Sequence, residues 1–282
     1  MTQLVPTSSP PRSLLAVPAG NPRFLRSALR RVADAVMPDL EDAVAPDAKE
    51  QARSEILRFL ADPATADATL MVRVNDPCGD LGRRDLAALA PHTGRLAAMV
   101  VPKSGAGSVT AVRGLLDVPV VALIETAAGV EEAYDIARQD HVVGVLFGSV
   151  DYTAELVSRG GWHVRDLHWT KSRIVNAAAA GGAWALAGPW TALDDEPGLR
   201  AEIEADRALG FAGKLCVHPA HVDVVNEAFA PSREQRDWAL RVLDALGPAG
   251  DAGAVRIDGQ MIDRPLIAQA RHILDAAAAA SA

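Results

Sequence analysis

An eightfold alternation of short apolar runs with amphipathic stretches restricts this chain more than any other feature. SLLAVPA (from Ser13), DAVMPDL (Asp34), LMVRVN (Leu70), LAAMVVPK (Leu96), VVALIET (Val120), VVGVLFGS (Val142), WALAG (Trp184) and GKLCVH (Gly213) each read as a buried strand. Between them, NPRFLRSALRRV, AKEQARSEILRFLAD, SVTAVRGLLD, GVEEAYDIARQ and RAEIEADRALG carry apolar residues at helical spacing. Asn21 before Pro22, Asp47 and Ser108 are expected to open three of these helices. Strands that alternate with crossover helices form a parallel sheet, and eight units from Ser13 to about Ala230 match a closed (β/α)8 TIM barrel. An open doubly wound sheet is the rival. It calls for a glycine-rich phosphate turn after the first strand, where this chain has VPAGNPRF and no GxGxxG. SGAGS at Ser104 follows the fourth strand and lacks a Lys-Ser/Thr pair, so it is read as a loop.

Beyond the eighth unit come a helix in PSREQRDWALRVLDAL, a linker in GPAGDAG and a last helix after RIDGQMIDRP. The reading is therefore a catalytic barrel over residues 1–230 and a C-terminal helical extension over 231–282. That extension is too short for a core of its own and is expected to pack on the barrel or on a neighbouring subunit.

Composition removes several function classes. With 28 Lys+Arg against 36 Asp+Glu the chain carries a formal charge of −8, which argues against nucleic acid and anionic membrane as partners. No apolar run approaches the ~18 residues of a membrane span, and MTQLVPTSSPPR has no secretory pattern, so a soluble cytoplasmic protein is expected. Cys78 and Cys216 are too few and too far apart for a disulfide framework or a zinc motif.

A parallel barrel builds its active site at the C-terminal ends of its strands, and here those ends are crowded with ionisable groups. Strand two ends in Asp39, Glu41 and Asp42, strand three in Arg73 and Asn75, strand four in Lys103, strand five in Glu125, strand six in Asp151 and strand eight in His218. Burying so many costs several kcal/mol each unless they are paired or bind a ligand, as charged groups generally do. Glu125 and Asp151, one unit apart, suit a hard divalent cation; the competing reading makes each the cap of the helix that follows. Arg73 suits a substrate carboxylate or enolate oxygen, against a surface ion pair. Lys103 is read as a carboxylate contact rather than a Schiff-base lysine. His218 and His221 lack metal-ligand spacing and are read as loop anchors.

In order and at comparable spacing, RSLLAVPAGNPRF, PDLEDAVAPDAKEQAR, RVN, VVPKSGAGSV, ALIETAAGV, LFGSVDYTAEL, LGFAGKLCVHPAHVDVVNEAF and GQMIDRP resemble the citrate lyase beta-subunit-like branch of the HpcH/HpaI aldolase superfamily. The resemblance runs from about Arg12 to Ile273. It implies a homotrimer or larger oligomer and Mg²⁺-dependent (or Mn²⁺-dependent) cleavage of a 3-hydroxyacyl-CoA of the citramalyl, malyl or citryl type to acetyl-CoA and a small 2-oxo acid. By position, Glu125 and Asp151 become metal ligands, and Arg73 the holder of the keto-acid portion. Glu41 and Asp42 become the acidic pair near the site, Asp42 a candidate base, and Arg12 and Lys103 rim groups near the substrate. Asp263 of the MID motif resembles the acid that reaches a neighbouring subunit's site to exchange a proton with the acetyl-CoA methyl; locally it reads equally as an N-cap. Two departures from the pattern are Pro38 in MPDLED and the apolar ALAGP around Ala187, which lacks the aspartate relatives often carry. Alternatives are a citryl-acyl-carrier-protein lyase subunit, a metal-dependent aldolase on free 2-oxo-4-hydroxy acids, and a noncatalytic binding module for a CoA ester or dicarboxylate.

Overall fold

The computed structural model describes residues 9–246, 255–257 and 259–280. The linker expected over 247–253 lies outside the described residues. Eight parallel strands close on themselves in chain order, with β1 paired to β8. They are β1 (Ser13–Pro18), β2 (Ala35–Asp39), β3 (Met71–Arg73), β4 (Ala98–Val101), β5 (Val120–Ile124), β6 (Val142–Phe147), β7 (Trp184–Ala187) and β8 (Gly213–Cys216). The helices between them are α1 (Pro22–Ala28), α2 (Lys49–Ala61), α3 (Asp80–Leu89), α4 (Ala106–Arg113), the paired short helices α5 (Ala127–Glu131) and α6 (Ala133–Ala137), α7 (Ser149–Ser158), α8 (His168–Gly181) and α9 (Glu196–Leu209). Helix α10 (His221–Phe229) follows β8.

Strand alternation fills the barrel. Leu14, Ala35, Met37, Met71, Ala98, Val100, Val121, Leu123, Leu146, Leu186 and Leu215 form one buried cluster. A strand repeats its facing every second residue, so the position two beyond each inward residue also points into the barrel. Asp39 follows Met37, Arg73 follows Met71 and Glu125 follows Leu123 in this way. The same periodicity that fills the core with Met and Leu therefore delivers three charges to its mouth.

The expected caps are partly revised. Asn21 caps α1, its side chain accepting from the N–H groups of Arg23 and Phe24. Asp47 sits in a 3-10 turn over Pro46–Ala48 ahead of α2. Helix α4 starts two residues before Ser108, whose hydroxyl instead accepts from the Gly105 N–H at 3.1 Å. Pro38 is tolerated inside β2, in register with Val17, at the loss of one backbone donor.

The chain divides at Asn226/Glu227 into two compact units. The second contains α11 (Arg233–Leu246), the antiparallel pair β9 (Val255–Ile257) and β10 (Gln260–Ile262), and α12 (Arg264–Ala279). Contrary to the expectation from its length, it has a small core: Ala239, Val242, Leu246, Ile262, Ile267 and Ala270 are buried together. Two amphipathic helices facing one another bury enough apolar surface to make it. No helix among the described residues is long and apolar enough to cross a membrane.

Candidate active site

Arg73, the last residue of β3, lies on the C-terminal rim. Its Nε and Nη2 donate to Oδ1 and Oδ2 of Asp39 at 2.7 and 2.6 Å, while Nη1 lies 3.2 Å from Glu41 Oε2 and 3.9 Å from Asp42 Oδ2. Burial works against its charge, but the Asp39 bond and the fields of Asp39, Glu41 and Glu125 outweigh this and raise its pKa. The surface ion-pair reading is thereby corrected: the partners are at the barrel mouth, and Asp39 is almost fully buried.

Lys103, just past β4, bridges two carboxylates. Its Nζ donates to Glu41 Oε1 at 2.6 Å and its backbone N–H donates to Glu125 Oε1 at 2.8 Å. Burial lowers the ammonium's pKa and the Glu41 bond more than restores it, so Lys103 stays charged rather than serving as a neutral amine. Burial pushes Glu41 up, opposed by Lys103 and Arg73.

Glu125 is buried, and its carboxyl is pushed up to about 7, first by desolvation. The Lys103 N–H opposes this, while the charges of Glu41 and Asp151 add to it. Among the described residues its Oε2 accepts no hydrogen bond. Gly148 makes room for it: a Cβ there would fall 2.3 Å from Glu125 Cβ and 2.7 Å from Oε2. Asp151 is the third residue of α7, where the helix dipole favours an anion, and its carboxylate has no hydrogen bond or ion pair among the described residues. Neither acid is a helix cap. Thr126 caps α5 through its own hydroxyl, and Gly148 holds the N-cap position of α7.

Among the described residues no group of three or more His, Cys, Asp or Glu is disposed around a metal position. Two electrostatically coupled carboxylates, one with an oxygen free in a cradle that only glycine leaves open, nevertheless fit a hard cation that draws its other ligands from water and substrate.

Sequence reasoning missed what holds the acidic loop in place. Lys49, buried, donates to the carbonyls of Leu40 (2.7 Å) and Glu41 (2.5 Å). Asn75 donates to Leu40 O at 3.1 Å and to Asp85 Oδ2 at 2.6 Å, and Asp85 is held in turn by Arg53 at 2.8 Å. The signal was present: polar residues at buried positions of α2 and α3.

Arg12 is a correction. It precedes β1, so it lies at the N-terminal end of the barrel, opposite the site. There its Nε and Nη2 pair with Asp34, itself just ahead of β2, at 2.8 Å each. It ties two strand starts together and is not a rim group for substrate. Asp263 holds the N-cap position of α12, but its side chain caps no N–H, so that local reading is not what the residue does.

With this geometry established, comparison decides the lineage. The HpcH/HpaI aldolase/citrate lyase family matches residues 12–219, nearly three quarters of the chain. The chain belongs to this family. A second family, described as a carbon–carbon bond lyase of the TIM-barrel fold, matches residues 162–281. The HpcH/HpaI chain is 36% identical to a (3S)-malyl-CoA thioesterase of Cereibacter sphaeroides, covering 97% of this chain and 96% of that one. The crystal structure of CitE from Mycobacterium tuberculosis in complex with magnesium, acetoacetate and coenzyme A superposes with a TM-score of 0.77 at 34% identity, covering 96% of this chain and 99% of that one. The citrate lyase beta subunit of the same organism, complexed with oxaloacetate and magnesium, gives 0.69 at 32% identity, over 79% and 99%.

Proposed function

We propose that the chain is a Mg²⁺-dependent carbon–carbon lyase that cleaves a 3-hydroxyacyl-CoA of the malyl, citramalyl or citryl type to acetyl-CoA and a 2-oxo acid. The observation that carries this reading is that Glu125, at the barrel mouth, is electrostatically coupled to both Asp151 and Arg73. Magnesium, coenzyme A and small oxo acids bound in the M. tuberculosis structures support it.

Glu125 and Asp151 are the residues that would hold the metal, with Mn²⁺ an acceptable substitute. When bound, the ion supplies fixed positive charge where the substrate hydroxyl becomes an alkoxide. After pairing with Asp39, Arg73 keeps three N–H bonds, one on Nη2 and two on Nη1, which lies 3.2 Å from Glu41 Oε2, and these suit the keto-acid oxygens. Lys103 holds Glu41 and fixes Glu125 from the backbone. Asp42 is half exposed at 51% and only loosely attracted to Arg73, which leaves it free to accept the hydroxyl proton. As that proton leaves, the carbon–carbon bond breaks, the hydroxylated carbon becomes the carbonyl of the 2-oxo acid, and the electron pair passes into the acetyl-CoA enolate. Asp263, supplied by a neighbouring copy in a homotrimer or larger ring, protonates that enolate.

The Cereibacter relative's name favours a second reading, hydrolysis of the thioester. One assay separates them. Malyl-, citramalyl- and citryl-CoA are each incubated with the enzyme and Mg²⁺, and 2-oxo acid and free thiol are measured. The lyase yields 2-oxo acid without free CoA thiol; hydrolysis yields thiol and the intact hydroxy acid. Glu125→Ala abolishes turnover, and undiminished turnover in excess EDTA overturns the metal assignment.

A further inference from the structure

We infer that Asp39 is the positioning residue that sets the Arg73 guanidinium for catalysis. This rests on the proposed role of Arg73 at the substrate. Asp39 and Arg73 are the partnered residues in the β2–β3 register, so their side chains leave adjacent strands at one level and on one face. The pairing is side-on: Asp39 takes the Nε hydrogen and one on Nη2, and leaves the other on Nη2 and the Nη1 group, which lies 3.2 Å from Glu41 Oε2. The same carboxylate accepts the Glu41 N–H on Oδ1 at 2.8 Å and the Ala43 N–H on Oδ2 at 3.1 Å. Each oxygen thus accepts two donors, and the four acceptor positions of a carboxylate are filled. A carboxylate with all four acceptor positions filled has no lone pair left for a metal. It fixes geometry instead, holding the Arg73 fork and the backbone that carries Glu41 and Asp42 with a single group. An asparagine offers one acceptor oxygen to four donors and sets its NH2 group against the two that the other oxygen held. A glutamate keeps the charge but moves the fork by a methylene.

The test is steady-state kinetics of the full-length enzyme with Mg²⁺ and the thioester it cleaves fastest, on Asp39→Asn, Asp39→Glu, Arg73→Ala and the Asp39→Asn/Arg73→Ala pair. Misplacing a catalytic group by about 1 Å costs about 100-fold, so Asp39→Asn is expected to lower kcat by about that factor with KM within about threefold of wild type. Asp39→Glu should lower kcat at least about tenfold at an unchanged thermal midpoint, which keeps the test valid should Asp39→Asn fail to fold. In the Arg73→Ala background Asp39→Asn should change residual kcat by less than about threefold, because a residue acting through Arg73 has nothing left to position. A folded Asp39→Glu with wild-type kcat beside an inactive Arg73→Ala overturns the inference alone, as do Asp39→Asn and Arg73→Ala effects that multiply. Wild-type turnover by Arg73→Ala instead removes Arg73 from the mechanism and the inference with it.

Discussion

Lys103 donates its backbone N–H to Glu125 from a left-handed backbone, with φ of 46°, and is the only non-glycine residue with positive φ among the described residues. That conformation costs an L-residue roughly 1 kcal/mol or more. It is held because the N–H and the ammonium of one residue reach Glu125 and Glu41 at once.

The backbone half of this arrangement can be tested apart from the charge. Lys103→Gly adopts the conformation freely and should keep Mg²⁺ affinity within about threefold. Lys103→Val, β-branched and strained at positive φ, should lose about tenfold, a 1.4 kcal/mol difference, by isothermal titration calorimetry. Equal affinities would show that the N–H does not hold Glu125.

Glu125 gives the metal-free protein a pH signature. With a carboxyl at about 7 against an ordinary 4.5, the folded chain holds a proton that the unfolded chain has lost. Stability therefore falls as pH rises from 4.5 through 7, on the order of 3 kcal/mol in all. Glu125→Gln should flatten this slope in urea titrations. Because the proton and Mg²⁺ compete for the carboxylate, wild-type affinity should climb up to about pH 7 and then level. An affinity constant between pH 5.5 and 7 would contradict the assignment.

Beneath the barrel wall, Asp206 accepts from Lys214 at 2.9 Å and Lys171 at 2.7 Å, and Glu202 shares both cations. Lys214 and Asp206 are 1% and 0% exposed. Asp206→Ala leaves two ammonium groups with one carboxylate and should cost about 3–5 kcal/mol, read from the urea midpoint. A loss below about 1 kcal/mol would mean that water takes over the role of Asp206.

The two cysteines should differ sharply. Burial pushes the Cys216 thiol up to about 12, only partly opposed by Lys214, whereas Cys78 is exposed. At pH 8 iodoacetamide should label one thiol per native chain, at Cys78, and two in urea. Rapid native labelling of Cys216 would mean that β8 opens readily.

Much of the barrel was legible because its signal is local. Eight apolar runs and their helices can be counted along the chain, and the polar residues that end the strands fall where a parallel barrel puts its site. Arg73 could be placed at a strand end but not on a face. That depended on Met71 pointing inward, which the closed sheet settles. Arg12 was placed at the wrong end, although its position before β1 carried the polarity information. The small core of the second unit escaped because it joins α11 to α12, which are not consecutive in the sequence, and composition alone does not show two helix faces meeting.

The sequence by itself determined the strand order, the direction in which each strand runs and hence which acids and bases share a rim, because strand periodicity and chain polarity are properties of neighbours. Only the tertiary structure decided that Asp39 faces Arg73, that Lys103 joins Glu41 to Glu125, and that Gly148 shelters a carboxylate. Those pairings depend on the register between strands whose partnered residues lie 22 to 62 positions apart, and a shift of one residue would turn each partner to the opposite face.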